Sequence, residues 1–412
     1  MTRFTFLHAA DLHLGSPLTG LAMKDESVAR RFAAASREAF SDLVKQAIDQ
    51  KVAFVLIAGD IYDGDWKDTA IGLFFNREVS RLTRAGIPLF LIKGNHDAES
   101  EITKAVTLPD GLIEFGTRRA TTERLEPLKV AIHGRSFPER AATENYALTY
   151  PAPVPGWFNI GMLHTSLEGN AAHAVYAPCS IADLVNSGYD YWALGHIHEQ
   201  AVLRREPWIV YSGNLQGRSV RECGPKGAML VDVIDGRVSE VRPLIVDKAR
   251  WLHVTVPIPD APDEAALLTI LREALQAPLS EARGRLTALR VTLTGESTLH
   301  GRLKARRATL SDEVQAYANH IHDDAWLEAL KIATTEPRAL PGGLADLGGL
   351  DPVTLLSGLE QDEEMRAKAA ELVALVRSKM PINRSDDGLE DLDALLADAR
   401  VLATARALGG AS

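Results

Sequence analysis

The stretch Phe4-Thr5-Phe6-Leu7-His8-Ala9-Ala10-Asp11-Leu12-His13 decides how this chain is read. Positions 4–10 have strand length and composition, and the run ends in a carboxylate and an imidazole two residues apart. Polar ligands at a strand's carboxyl end belong on the rim of an α/β sheet, where the loops converge. The pattern recurs downstream. Strands are predicted over residues 4–10, 53–58, 88–92, 130–133, 158–163, 189–194 and 208–211, and several run straight into polar clusters. These clusters are Gly59-Asp60-Ile61-Tyr62-Asp63, Gly94-Asn95-His96-Asp97, His164 within Met162-Leu163-His164-Thr165, and Gly195-His196-Ile197-His198.

Between the first strands the periodicity changes. Val28, Phe32, Ala35, Ala39, Leu43 and Ala47 recur at helical spacing over residues 26–51, and Ile71, Phe75, Val79 and Leu82 do so over 68–85, before Gly86 and Pro88 stop the helix. Strand, helix, strand, helix, strand is the signature of a layered α/β fold. A catalytic domain over residues 1–250 is expected, ending after a strand region at 227–246. Residues 251–338 read as a smaller α+β cap, with strands at 251–256 and 287–293 around a helix at 263–276. The glycine-rich residues 340–350 read as a linker. Helices at 361–380 and 389–408, separated by a breaker at 381–388, make a C-terminal helical region within 351–410, whose apolar face would pack on its own domain or dock a partner.

Composition sets limits. The chain has 412 residues, 46% hydrophobic and 24% charged, which fits an ordinary globular protein of two or three domains. No apolar stretch approaches membrane-spanning length, and no secretory pattern precedes Asp11, so a cytoplasmic location is expected. Two cysteines, Cys179 and Cys223, are too few for a thiolate metal site. The net charge of −10 argues against a globally basic nucleic-acid coat and leaves local patches open.

Carboxylate oxygen, amide oxygen and imidazole nitrogen together suit manganese, iron or zinc, whereas an all-oxygen set suits magnesium or calcium. Manganese leads, with iron, zinc or magnesium as alternatives. Each cluster alone has a bland explanation, since an Asp after a strand caps helices and Gly-Asn makes turns. Five in order, each at a predicted strand's end, are hard to explain that way.

With those clusters in that order, the chain resembles the calcineurin-like metallophosphoesterase superfamily, whose five sequence blocks they match. Within it, the chain is similar to SbcD-type DNA repair exonucleases and, more narrowly, to the bacterial YhaO-type group. The narrower likeness rests on Trp208-Ile209-Val210-Tyr211-Ser212-Gly213-Asn214-Leu215-Gln216-Gly217-Arg218 with Glu222, Lys226 and Gly227. The resemblance implies a β-sandwich flanked by helices and two divalent metal ions. Asp11, His13, Asp60 and His198 would hold one ion, Asp60, Asn95, His164 and His196 the other, with Asp60 bridging. His96 would be the non-ligand catalyst, donating a proton to the leaving oxygen or a hydrogen bond in the transition state, and Asp97 would orient its imidazole, with capping of the following helix as the alternative.

The implied activity is phosphodiester hydrolysis on DNA, with an SbcC-like coiled-coil ATPase as partner and a homodimer as the assembly. A small-molecule phosphodiesterase and a non-cutting DNA- or ATPase-binding subunit are the alternatives. Protein phosphatases of this fold carry Arg where Gly64 and Asp97 stand here, which counts against that activity. Arg218 and Arg221 are candidate phosphate contacts, Tyr62, Trp66 and Tyr211 candidate stacking platforms, and Arg302, Lys304, Arg306 and Arg307 the densest basic cluster. His173 is left out of the site, and His320 and His322 read as surface residues.

Overall fold

The opening run forms strand β1 (Arg3–Ala9) in the computed structural model of the chain, which describes residues 2–16, 26–62, 69–99, 109–139, 142–167, 176–259, 261–337, 362–378 and 391–409. Parallel to β1 lie β2 (Val55–Ala58), β3 (Leu89–Ile92) and β4 (Leu112–Glu114), each hydrogen-bonded to the one before. Helices α1 (Glu26–Asp49) and α2 (Thr69–Arg84) connect the first three strands, within two residues of the predicted spans. On the free side of β1, strands β11 (Gly227–Ile234) and β12 (Arg237–Ile245) add antiparallel and complete a six-stranded sheet, β12-β11-β1-β2-β3-β4.

A second six-stranded sheet runs β5-β6-β7-β8-β10-β9, made of β5 (Thr121–Leu125), β6 (Val130–Gly134), β7 (Phe158–His164), β8 (Tyr191–Gly195), β9 (Ala201–Arg205) and β10 (Trp208–Tyr211). Its four central strands are parallel, and the two edge strands are antiparallel to their neighbours. The period of two along each strand sorts side chains between layers. Leu7, Ile57 and Leu91 face Phe40 and Leu43 of α1 and Phe75 and Val79 of α2. Phe6, Leu56 and Phe90 face Ile132, Ile160, Met162 and Tyr191 of the second sheet. Phe6 stacks on Phe54 at 5.0 Å between centroids and meets Tyr191 edge-on at 5.2 Å. The outer face of the second sheet buries Trp192 and Leu194 under Phe137, Tyr146 and Leu184, the last from the short helix α3 (Ile181–Asn186). This is the sandwich flanked by helices that the resemblance implies.

One polar residue sits in the sandwich interior. The fully buried His8 approaches the Tyr191 hydroxyl at 3.0 Å through Nδ1 and the Leu194 carbonyl at 3.2 Å through Nε2. A carbonyl only accepts, so Nε2 donates to it and Nδ1 accepts from the hydroxyl. Burial pushes the His8 pKa down to about 3, and the ring is neutral.

The chain divides into two compact units, Met1–Trp251 and Leu252–Ser412. The second is built on a three-stranded sheet of β13 (Ala249–Pro257), which begins before the boundary, β14 (Leu286–Glu296) and β15 (Ala325–Thr335). Helix α4 (Glu264–Glu281) starts where the Asp263 carboxylate accepts the Ala266 N–H at 2.9 Å, and buries Leu267, Leu271, Leu275 and Leu279 every fourth residue. The sequence reading did not place β15, α5 (His300–Ala305) or α6 (Arg307–Ile321), although Leu310, Val314 and Ala318 of α6 sit in the same core. His322 is buried against the Arg285 carbonyl at 2.7 Å and the Thr287 hydroxyl, which corrects its surface reading, whereas His320 is exposed.

The terminal helices are α7 (Glu363–Ser378) and α8 (Leu392–Gly409), the latter packed on α5 and joined to it by a Lys304–Asp398 ion pair. The expected linker at 340–350 and breaker at 381–388 lie outside the described residues, as do Trp66 and His173. Among the described residues no helix is long and apolar enough to cross a membrane.

Candidate metal centre

The donors collect because five neighbouring strands end on the same edge. Asp11 and His13 follow β1, Asp60 follows β2, Asn95 and His96 follow β3, His164 is the last residue of β7, and His196 and His198 follow β8. The turns are tight and partly strained. Asp11, His13, Asp60 and His196 all have positive φ, at 51°, 42°, 54° and 95°, a region that costs a non-glycine residue about 1–3 kcal/mol and persists where surroundings enforce it. Backbone bonds enforce it here: Asp11 N–H to the Gly59 carbonyl at 2.9 Å and His13 N–H to the Asp60 carbonyl at 3.1 Å. Gly94 admits no side chain, since a Cβ there would stand 2.3 Å from Asp60 Oδ1 and 2.8 Å from His164 Cε1.

Asp60 stands between two imidazoles, its Oδ2 3.4 Å from His164 Nε2 and 3.9 Å from His13 Nε2. Asn95 Oδ1 lies 3.0 Å from the same His164 nitrogen. His164 donates its Nδ1 hydrogen to the Ala58 carbonyl at 2.9 Å, which turns its Nε2 toward Asp60 and Asn95. On the other side His13 Nε2 is 3.2 Å from His198 Nε2, which is 3.8 Å from Asp11 Oδ1. The His196 N–H donates to the Asp11 carboxylate at 3.0 Å, and its ring meets that of His164 at 5.3 Å. Asp11, His13, Asp60, Asn95 and His164 are buried; His96, His196 and His198 are partly exposed.

The electrostatics follow from burial of like charges beside imidazoles. Burial pushes the Asp11 carboxyl up to about 6 against the pull of His198 and His164. Burial also works against the Asp60 charge, but His164, His13 and His96 outweigh it and hold that group well below the usual carboxylate range. Burial opposes a charge on His164 too, yet Asp60 raises its pKa to about 9. Neither Asp11 nor Asp60 pairs with a Lys or Arg among the described residues. Two buried carboxylates without such partners, ringed by imidazoles and an amide, fit divalent cations. Three groups have donor atoms mutually within 4.8 Å: Asp11, His13 and His198; His13, Asp60 and His96; and Asp11, Asp60 and His164. His96, read from sequence as a non-ligand, falls in one of them, and His196 falls in none.

The role expected of Asp97 is corrected. Its carboxylate accepts from the backbone N–H groups of Ile61, Tyr62 and Gly94 at 2.9, 3.0 and 3.1 Å and joins the loops that carry Asp60 and Asn95, where the sequence reading had it orienting the His96 ring. Burial, then the charge of Asp60, pushes its pKa up to about 7 in spite of those bonds. Tyr62 and Tyr211 are core residues, Tyr62 packed on Phe75 and Tyr211 donating its hydroxyl to the Thr165 carbonyl at 2.9 Å, so neither is a stacking platform.

Arg218 lies against Glu222 at 3.2 Å, while Arg221 is exposed. Sequence reasoning gave no place in the site to Glu222, which takes the His198 Nδ1 hydrogen at 2.7 Å. Burial opposes its charge, but His198 and Arg218 hold its pKa low. The basic cluster of the second unit is internally committed: Arg302 and Arg306 pair with Glu264, Lys304 with Asp398, and Arg307 donates to the Leu330 carbonyl.

Comparison with known proteins gives the family. Residues 4–200 match the family described as calcineurin-like phosphoesterase, and residues 251–335 match the middle domain of metallophosphoesterase YhaO. An uncharacterized metallophosphoesterase YhaO of Bacillus subtilis is 31% identical over 385 residues, covering 90% of this chain and 93% of that protein. A DNA double-strand break repair protein Mre11 of Sulfurisphaera tokodaii is 26% identical over 271 residues, 62% of this chain and 66% of the relative. Another Mre11, of Aeropyrum pernix, is 27% identical over 289 residues, 62% and 64%.

Proposed function

The chain belongs to the calcineurin-like metallophosphoesterases, with a YhaO-type middle domain, and from that premise we propose that it is a two-metal phosphodiesterase acting on DNA as an exonuclease in repair. The family hydrolyses phosphoesters at a dimetal centre. The observation that carries the proposal is the placement of Asp60 between His13 and His164, with Asp11 and His198 beyond the first and Asn95 beside the second.

Asp11, His13, Asp60 and His198 would hold one ion and Asp60, Asn95, His164 and His196 the other, with manganese the leading candidate. When bound, such ions supply positive charge for the phosphoryl oxygens and acidity for the attacking water. The protein's own part is orientation and proton delivery. Asp60 receives the His96 N–H at 3.0 Å, which fixes that loop, and the partly exposed His96 ring stands 5.1 Å from that of His13. From there it would give a proton to the leaving oxygen.

The DNA reading is supported by the Mre11 relatives' names and by the sequence departures from protein phosphatases. An SbcC-like ATPase as partner is supported by α7, which exposes Met365, Leu372, Leu375 and Val376. The deciding assay incubates end-labelled duplex and single-stranded DNA with manganese, magnesium or chelator, beside a bis-aryl phosphodiester and its monoester. Metal-dependent ladders from one end are expected. Untouched DNA beside a hydrolysed diester would transfer the assignment to a small-molecule phosphodiesterase, and no hydrolysis at all to a binding subunit.

A further inference from the structure

We propose that Glu222 is a positioning residue of this centre, the carboxylate that fixes the His198 imidazole with Nε2 turned toward the metal-binding atoms. The inference rests on the reading of His198 as a ligand and adds a residue to which that reading assigned no role. Glu222 Oε1 lies 2.7 Å from His198 Nδ1. A carboxylate only accepts, so Nδ1 carries the hydrogen and the lone pair is left on Nε2. That Nε2 is the atom 3.2 Å from His13 Nε2 and 3.8 Å from Asp11 Oδ1.

The carboxylate is itself held from several directions. Asn214 Nδ2 donates to Oε2 at 2.9 Å, the Arg218 backbone N–H donates to Oε2 at 2.7 Å, and the Arg218 guanidinium donates to Oε1 at 3.2 Å. The loop that carries it is pinned in turn, because the Gln216 side chain accepts the N–H groups of Lys248 and Ala249 and donates to the Ala249 carbonyl. Gly217 lets the loop close, since a Cβ there would stand 2.7 Å from the Glu222 carbonyl oxygen. The same guanidinium nitrogen of Arg218 also lies 3.3 Å from His198 Nδ1.

The two halves of the centre are held differently. His164 is oriented by a neutral carbonyl of Ala58, whereas His198 is oriented by an anion, which raises the basicity of its Nε2. Loss of Glu222 should weaken one ion and leave the other.

The test uses the full chain, stripped with chelator, as wild type, Glu222→Gln and Glu222→Ala. Manganese titration calorimetry should show two ions on the wild type, and in Glu222→Ala one of them weakened roughly 10–100-fold with the other nearly unchanged. Glu222→Gln, which keeps an acceptor oxygen without the charge, should fall between. Imidazole nitrogen–proton correlation spectra of the ion-free wild type should show His198 protonated on Nδ1, and Glu222→Ala should lose that signature. Two unaltered affinities in Glu222→Ala, or His198 protonated on Nε2 in the wild type, overturns the proposal. If Glu222→Ala does not fold, Glu222→Gln and the wild-type spectrum decide. A wild type that binds no manganese sinks the two-metal reading instead, and the spectrum still reports the Glu222–His198 pairing.

Discussion

The carboxylate of Asp97 accepts the backbone N–H of Ile61 at 2.9 Å, so the loop after β3 is fastened to the loop after β2. Those loops carry Asn95 and Asp60. Replacing Asp97 by Ala leaves the buried N–H groups of Ile61, Tyr62 and Gly94 without their acceptor, at a cost of about 1–3 kcal/mol for each such group. Urea denaturation should show a clear loss of stability, and manganese titration weaker binding, with Asp97→Asn milder in both. A fully stable Asp97→Ala would show that the fastening contributes nothing.

His96→Asn should lower turnover of a phosphodiester by roughly two to four powers of ten while the number of bound ions stays the same. Steady-state kinetics and metal counting are read on one preparation. Unchanged turnover removes His96 from the chemistry, and one ion fewer makes it a ligand with His13 and Asp60, as their proximity permits.

Gly94→Ala forces a methyl group into Asp60 Oδ1 and the edge of His164. Overpacking of this kind costs about 1–3 kcal/mol. The prediction is that this small substitution weakens manganese binding as severely as loss of a ligand, measured by calorimetry. Affinity equal to the parent would mean that the ligand loops yield without consequence.

The buried His8 sets a pH dependence away from the ligands. Its folded pKa of about 3 lies below the value of about 6.5 it has in the unfolded chain, so only the unfolded state takes up its proton between those values. Stability from this residue is fully present above the unfolded pKa and is lost as pH falls toward the folded one, by about 3–5 kcal/mol at most. Compared with His8→Gln by chemical denaturation of the chelated chain, the wild type's advantage should shrink steadily from pH 6.5 to pH 4. A constant gap would mean that the ring charges without penalty where it sits.

The meeting of the donors is legible in the sequence because each follows a hydrophobic run that is itself a strand, and parallel neighbours must end together. The edge strands β5 and β9 are not, because they are short, hold no buried residue and show little apolar pattern. Asp97 was assigned to the wrong partner since adjacency to His96 in sequence says nothing of a bond to a loop thirty-six residues earlier. Glu222, quoted only for the likeness, was given no place in the site for a similar reason: it reaches His198 from an irregular loop, and no periodicity marks such a role. The run Arg302–Arg307 looks like a polyanion site in one dimension, but Glu264 and Asp398, far away along the chain, occupy most of its charges.

The donors are divided between the sandwich's two layers, with Asp11, His13, Asp60 and Asn95 contributed by the earlier half of the catalytic unit and His164, His196 and His198 by the later half. A growing polypeptide on the ribosome therefore has only part of the candidate centre until the last parallel strands have emerged and docked. The same division makes the centre depend on the register of the two layers, because slippage of one over the other would separate the halves. The candidate centre is thereby complete only in the finished fold.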